Sequence, residues 1–153
     1  IDKRVNVDSK EIGVVMMNEN FLNQNPISVV HEDNAIQFFD KIFYASDFSE
    51  RNFIGVSGTF TSVGSMYLNQ SKYNEDEIDK TDISYESIHR LYENLKLLTI
   101  PQIINSYPSL DPKRAATITS GLFIVINLLK KYEINQLKVS KSDILEGLIL
   151  KYF

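Results

Sequence analysis

Hydrophobic and polar positions alternate along this chain in two rhythms, one of period two and one of helical period, and their order outlines the fold. Val5-Asn6-Val7-Asp8 alternates and Ile12-Gly13-Val14-Val15-Met16-Met17 is a short apolar run, which predicts one or two opening strands. After a loop at Asn25-Pro26, Ala35, Ile36, Phe38, Phe39, Ile42 and Phe43 fall at helical spacing behind Asp33 or Asn34 as the cap. Apolar Phe53 to Val56 predicts a buried strand that breaks at Gly55-Val56-Ser57-Gly58-Thr59 into a helix reaching about Leu68. Gln70 to Asp82 is polar and acidic with no apolar period, so it reads as a surface loop. Ser84 then caps a helix with the stripe Ile88, Leu91, Tyr92, Leu95 and Leu98, and Pro101 opens a short helix through Ile103 and Ile104. Asp111-Pro112 opens another, carrying Ala115, Ile118, Leu122, Val125, Ile126 and Leu129; because Gly121 to Leu129 is apolar on nearly every side, it belongs at the centre. Gln136 to Ser140 reads as a strand, and Ser140-x-x-Asp143 as a capping box for a last helix, Ile144 to Tyr152. The class is α/β: a small mixed sheet from Val5 to Met17, Phe53 to Val56 and Leu137 to Val139, flanked by helices.

Composition narrows the field. With 153 residues, 43% hydrophobic and 24% charged, the chain is long enough to bury roughly 68–70% of its unfolded surface as one domain. The absence of cysteine excludes disulfides and thiolate metal sites and suits a cytoplasmic location. The run Gly121 to Leu129 is about half the length of a membrane span and holds an asparagine, so no membrane partner is expected. A net charge of −4 with scattered lysines and arginines argues against DNA or RNA, which need a basic patch. Ile1-Asp2-Lys3-Arg4 has neither an initiator methionine nor a signal-peptide layout and reads as the start of a piece of a longer chain.

The glycine turn carries the clearest chemistry. A strand that ends at glycines and enters a helix leaves backbone N–H groups unpaired, with the positive end of the helix dipole behind them, and anions bind there. The same spacing also serves simply to turn the chain and pack a helix closely on a sheet. Arg114, in the first turn of its helix, has the side chain best suited to fork two phosphate oxygens; a surface pair with Asp111 is the alternative. His31-Glu32-Asp33 reads as a solvated cap rather than a metal site, because three adjacent loop residues rarely converge on one ion. His89 lacks a second histidine one turn away, and Glu75 to Asp79 lacks the spaced ligands and glycine of a calcium loop. Phe38, Phe39, Phe43 and Phe48 read as core or interlobe packing rather than a base-stacking platform.

Three segments in order, Gly55-Val56-Ser57-Gly58-Thr59, Pro112-Lys113-Arg114-Ala115, and Val139-Ser140 followed by Ile144-Leu145-Glu146-Gly147-Leu148-Ile149, together resemble the second half of the exopolyphosphatase and guanosine pentaphosphatase family. Its patterns are Gly-x-Gly-Gly-Thr, Pro-x-Arg-Ala-Asp and Val-Ser-x-x-x-x-Arg-Glu-Gly-Leu, and Val7 to Phe21 resembles the segment just after the family's Asp-Ile-Gly-Gly-Gly-Ser loop. The resemblance implies an actin-like ATPase (ribonuclease H-like) lobe spanning residues 1–153. This would be the carboxy-terminal half of a phosphatase whose amino-terminal lobe holds the other phosphate loop and the catalytic glutamate. It further implies release of the terminal phosphate from polyphosphate or guanosine pentaphosphate, with magnesium held mainly by the absent lobe. Phosphate contacts would come from Gly55, Ser57, Gly58, Thr59 and Arg114, with no catalytic or metal residue in this part, so the fragment alone is expected to be inactive. Ser57 stands where the family has glycine, Ala116 where it has aspartate and Leu145 where it has arginine; the family's histidine-glycine is missing near Ile78 to Asp82. Glu146 either orients a cleft residue or favours its helix start through the dipole. These departures motivate a second reading: a non-catalytic module for anion binding, oligomerisation (a homodimer among the options) or regulation.

Overall fold

In the computed structural model, which describes residues 8–43, 53–142 and 149, the apolar segment from Gly121 to Leu129 is the axis of the molecule. The elements in chain order are α1 (Val14–Asn20), α2 (Val29–Ile42), β1 (Phe53–Gly55), α3 (Gly58–Tyr67), α4 (Glu75–Ile78), β2 (Asp82–Ser84), α5 (Tyr85–Leu95), α6 (Ile100–Ser106), a 3-10 turn (Pro112–Arg114), α7 (Ile118–Lys131) and β3 (Gln136–Val139). In α7, Ile118 to Phe123, Val125, Ile126 and Leu129 are buried, while Ile124 and Leu128 are half-buried and pack on the same core. Helices α1, α2, α3 and α5 all pack on α7. Phe123 is the hub, set edge-on to Phe39 of α2 at 6.3 Å and tilted against Tyr92 of α5 at 6.2 Å.

The sheet has the order β1-β3-β2, with β1 parallel and β2 antiparallel to β3. Alternation in β3 buries Leu137 and Val139 and exposes Gln136 and Lys138, as a strand with one core face requires. Phe53 pairs with Leu137 and Gly55 with Val139, which brings the end of β1 beside the end of β3. The mixed sheet and flanking helices match the α/β class expected from the sequence. The capping residues also act as read: Ser84 accepts from the Ser87 amide, and Pro101 lies in the first turn of α6 behind a Thr99–Gln102 capping box.

Several elements differ from the sequence reading. Ile12 to Met17 forms no strand; it runs into α1, because Val14, Met17 and Asn18 fall at helical spacing and an apolar run this short fits either period. Helix α2 begins at Val29 with Ser28 as its cap, not at Asp33 or Asn34; its first turn exposes Val29 (73%) and Val30 (67%), so no apolar stripe marks it. The Gln70 to Asp82 stretch is not all loop: it holds α4, capped by Asn74, and leads into β2. The helix expected from Asp111 is interrupted, a 3-10 turn preceding α7. Val5 to Val7, Phe48, Glu146 and all of the expected last helix except Ile149 lie outside the described residues.

His31-Glu32-Asp33 is only partly a solvated cap. His31 Nδ1 lies 2.7 Å from Ser28 Oγ, while Glu32 reaches α5, accepting from the Tyr92 hydroxyl at 2.7 Å and from Lys96 Nζ at 3.0 and 3.1 Å. Burial, reinforced by the Glu32 hydrogen bond, pushes the Tyr92 hydroxyl far above its ordinary pKa. Burial alone would lower the Lys96 ammonium, yet hydrogen bonds to Glu93 and Glu32 hold it above its usual value. This cluster fastens α2 to α5. Among the described residues no helix is long and apolar enough to cross a membrane.

Candidate functional site

The turn after β1 is shaped by one contact and one unusual dihedral. A Cβ on buried Gly55 would lie 2.1 Å from the Phe60 ring, so only glycine lets that ring fold over the end of the strand. The Gly55 carbonyl already accepts the Ser140 amide at 2.9 Å, so this residue shapes the turn from within. Ser57 then adopts φ 84° and ψ 174°, a region populated essentially by glycine, at a cost of about 1–3 kcal/mol. Serine at a helix start normally caps through its hydroxyl, but in this conformation it makes no capping bond. The first amide of α3 to find a carbonyl is that of Thr61, which donates to Ser57 O at 3.2 Å. Among the described residues no acceptor meets the amides of Gly58, Thr59 and Phe60, the positions where a helix start leaves donors unfilled.

Relief of that strain gives a clean check on the turn. Ser57→Gly is expected to stabilise the protein by about 1 kcal/mol, because the native strain outweighs the extra freedom glycine gains when unfolded. Thermal melts should show a rise of roughly 2–4 °C. A fall in Tm would show that the serine is not strained.

Arg114 is brought to the turn from a distant part of the sequence. Asp111 Oδ1 accepts the Lys113 amide at 2.9 Å, which with Pro112 sets the 3-10 turn, and buried Ala115 anchors its carboxy-terminal end. Arg114 Nη1 then donates to Gly58 O at 2.7 Å and to Ser62 Oγ at 2.9 Å, while Ser62 Oγ donates to the same carbonyl at 2.7 Å. The guanidinium lies directly on Gly58: a Cβ there would be 2.5 Å from Nη2 and 2.7 Å from Cζ. The alternative Arg114–Asp111 pair does not form. Nη2 and Nε have no protein acceptor among the described residues, and the residue as a whole is exposed. On the other side, Gly121 of α7 admits Thr59, whose Cγ2 would be 2.7 Å from a Cβ on the glycine.

Ser57, Gly58, Thr59 and Arg114 therefore meet around one patch, with Gly55 buried beneath. Ser62 and the Phe60 amide belong with them and were not singled out in the sequence; Ser62 stands one turn after Gly58, and that spacing is the signal. His89 does not join them: its ring lies 5.9 Å from that of Tyr85. Among the described residues no three His, Cys, Asp or Glu side chains cluster as a metal site.

The model of the Ppx/GppA phosphatase family matches residues 2–153. This chain belongs to that family. A bifunctional 3-dehydroquinate synthase/phosphatase of Fusobacterium nucleatum is 29% identical over 157 residues, covering 99% of this chain and 23% of the relative. The type II crystal structure of the Aquifex aeolicus Ppx/GppA phosphatase superposes with a TM-score of 0.86 at 22% identity, covering 96% of this chain and 49% of that one. An exopolyphosphatase from Cytophaga hutchinsonii gives a TM-score of 0.81 at 20% identity, over 94% of this chain and 48% of that one. This chain thus spans about half the length of those solved Ppx/GppA relatives and about a quarter of the curated one. The likeness bears out the actin-like ATPase type of fold expected from the sequence. Within the Ppx/GppA pattern, the departure at Ser57 falls where the backbone has a positive φ and glycine would be unstrained.

Proposed function

We propose that this chain is the carboxy-terminal, phosphate-holding lobe of a Ppx/GppA enzyme that releases the terminal phosphate of inorganic polyphosphate or guanosine pentaphosphate. The observation that carries the reading is the open set of amides at Gly58, Thr59 and Phe60 beside a guanidinium locked onto Gly58 O. Phosphoryl transfer asks a protein mainly to place the reacting groups and to offset charge on the non-bridging oxygens. Backbone N–H groups and a held cation do the second task without reorganising when charge develops. An overall charge of −4 leaves attraction to this local geometry, which suits a small polyanion better than DNA or RNA.

The base that activates water belongs, in this reading, to the lobe outside the chain. Asp111 is the carboxylate beside Arg114, and its Oδ1 is committed to the Lys113 amide. Magnesium would likewise be held elsewhere, since the described residues provide no donor cluster for it, and no step here is routed through it. A cytoplasmic setting would supply both substrates.

The test compares the full-length protein with residues 1–153 alone, measuring phosphate release from each substrate. Release by the full-length protein and none by the isolated chain is expected. Comparable rates from the isolated chain would overturn the division of labour. A second reading, a non-catalytic module that binds anions, is favoured by strained Ser57 and by Ala116 and Leu145; binding without release by the full-length protein would select it.

A further inference from the structure

Beside the turn, Arg114 and Ser62 line an open cavity of about 490 Å3 together with Ser71, Lys72 and Tyr73. We propose that this trough is a second phosphate subsite in which Lys72 grips the phosphates lying beyond those held by the turn and Arg114. The inference rests on the reading of the turn as a phosphate site and adds a ligand contact outside it.

Three observations carry it. Lys72 is exposed, and no carboxylate pairs with it among the described residues, so its ammonium is open to a ligand. The acid on the same cavity, Asp111, already caps the 3-10 turn through Oδ1, which leaves two cations facing one partly committed carboxylate. The Arg114 guanidinium, pinned by Gly58 O and Ser62 Oγ, lines the same cavity as Lys72, so one anion chain can meet both cations. A flexible lysine suits this place, because successive phosphates of a linear anion need a point charge rather than one fixed fork. Lys72 also lines a neighbouring cavity with Glu77, whose carboxylate accepts from Gln70 Nε2 at 2.9 Å, while the adjacent Asp76 is already paired with Lys141.

The experiment is calorimetric titration of the full-length protein with pyrophosphate and with tripolyphosphate, for wild type, Lys72→Ala, Lys72→Arg, Arg114→Ala and Lys41→Ala. Lys72→Ala should weaken tripolyphosphate binding by roughly three- to tenfold and pyrophosphate binding much less, with Lys72→Arg restoring most of the difference. Lys41→Ala, the same charge change on α2, should leave both affinities as in wild type. Tripolyphosphate bound equally by wild type and Lys72→Ala, with Arg114→Ala still impaired, would overturn the subsite alone. If Arg114→Ala also binds as wild type, the turn itself is not the site and the inference falls with it.

Discussion

Arg114→Ala is expected, on the proposed function, to lower the affinity of the full-length protein for polyphosphate or guanosine pentaphosphate by about ten- to over a hundredfold, the loss of a charge-assisted contact worth roughly 1.5–3 kcal/mol. In the folded chain Arg114 Nη1 is already spent on Gly58 O and Ser62 Oγ, so the group is fixed in place before any ligand arrives. The other guanidinium donors remain for phosphate oxygens, and an oriented cation costs little entropy to use. Arg114→Lys recovers only part of the loss, because lysine keeps the charge but cannot hold Gly58 O and fork a phosphate together. Gly58→Ala is the companion variant, since its Cβ would collide with the guanidinium at 2.5 Å while no positive φ forbids the residue. It should weaken binding while Tm stays near wild type, which separates displacement of Arg114 from loss of fold. Kinetics and calorimetry on matched variants, with thermal melts as controls, decide it; wild-type values for Arg114→Ala would reduce this arginine to a strut between α3 and the 3-10 turn.

Phe123→Ala is expected to destabilise the protein by about 3–5 kcal/mol, the cost of removing a fully buried aromatic and leaving a cavity. Phe123 is 1% exposed and joins three helices through Phe39, Tyr92 and its own position on α7. Because α7 also presents Gly121 to Thr59, loosening it should open the turn as well as the core. Chemical denaturation would show the midpoint falling with the slope unchanged. A loss below about 1 kcal/mol, as for a surface site, would mean that α7 is not the axis described.

What the sequence made legible was local. All-round apolarity placed Gly121 to Leu129 at the centre, Ser84 and Pro101 marked their helix starts, and the glycines at 55 and 58 marked a strand breaking into a helix. What it hid depends on partners far away in the chain. Strand β2 has a single apolar residue, Ile83, and exists because it pairs with β3, where Asp82 and Lys138 also meet at 2.8 Å. Helix α1 hides in an apolar run too short to show its period. The link from Arg114 to Gly58 crosses 56 residues, so no local pattern could show that the arginine stacks on the very glycine that opens α3. Position 57 was legible in part: its need for a positive φ could be suspected from the turn, and the structure shows the serine bearing it.

The central claim is that the open amides of the turn, beside Arg114, hold phosphate. The most direct test is amide-resolved NMR of the isotopically labelled full-length protein titrated with tripolyphosphate. Saturable shifts are expected, largest at Gly58, Thr59 and Phe60 and shrinking together in Arg114→Ala. Unmoved resonances at those three amides, with the ligand bound, would contradict it.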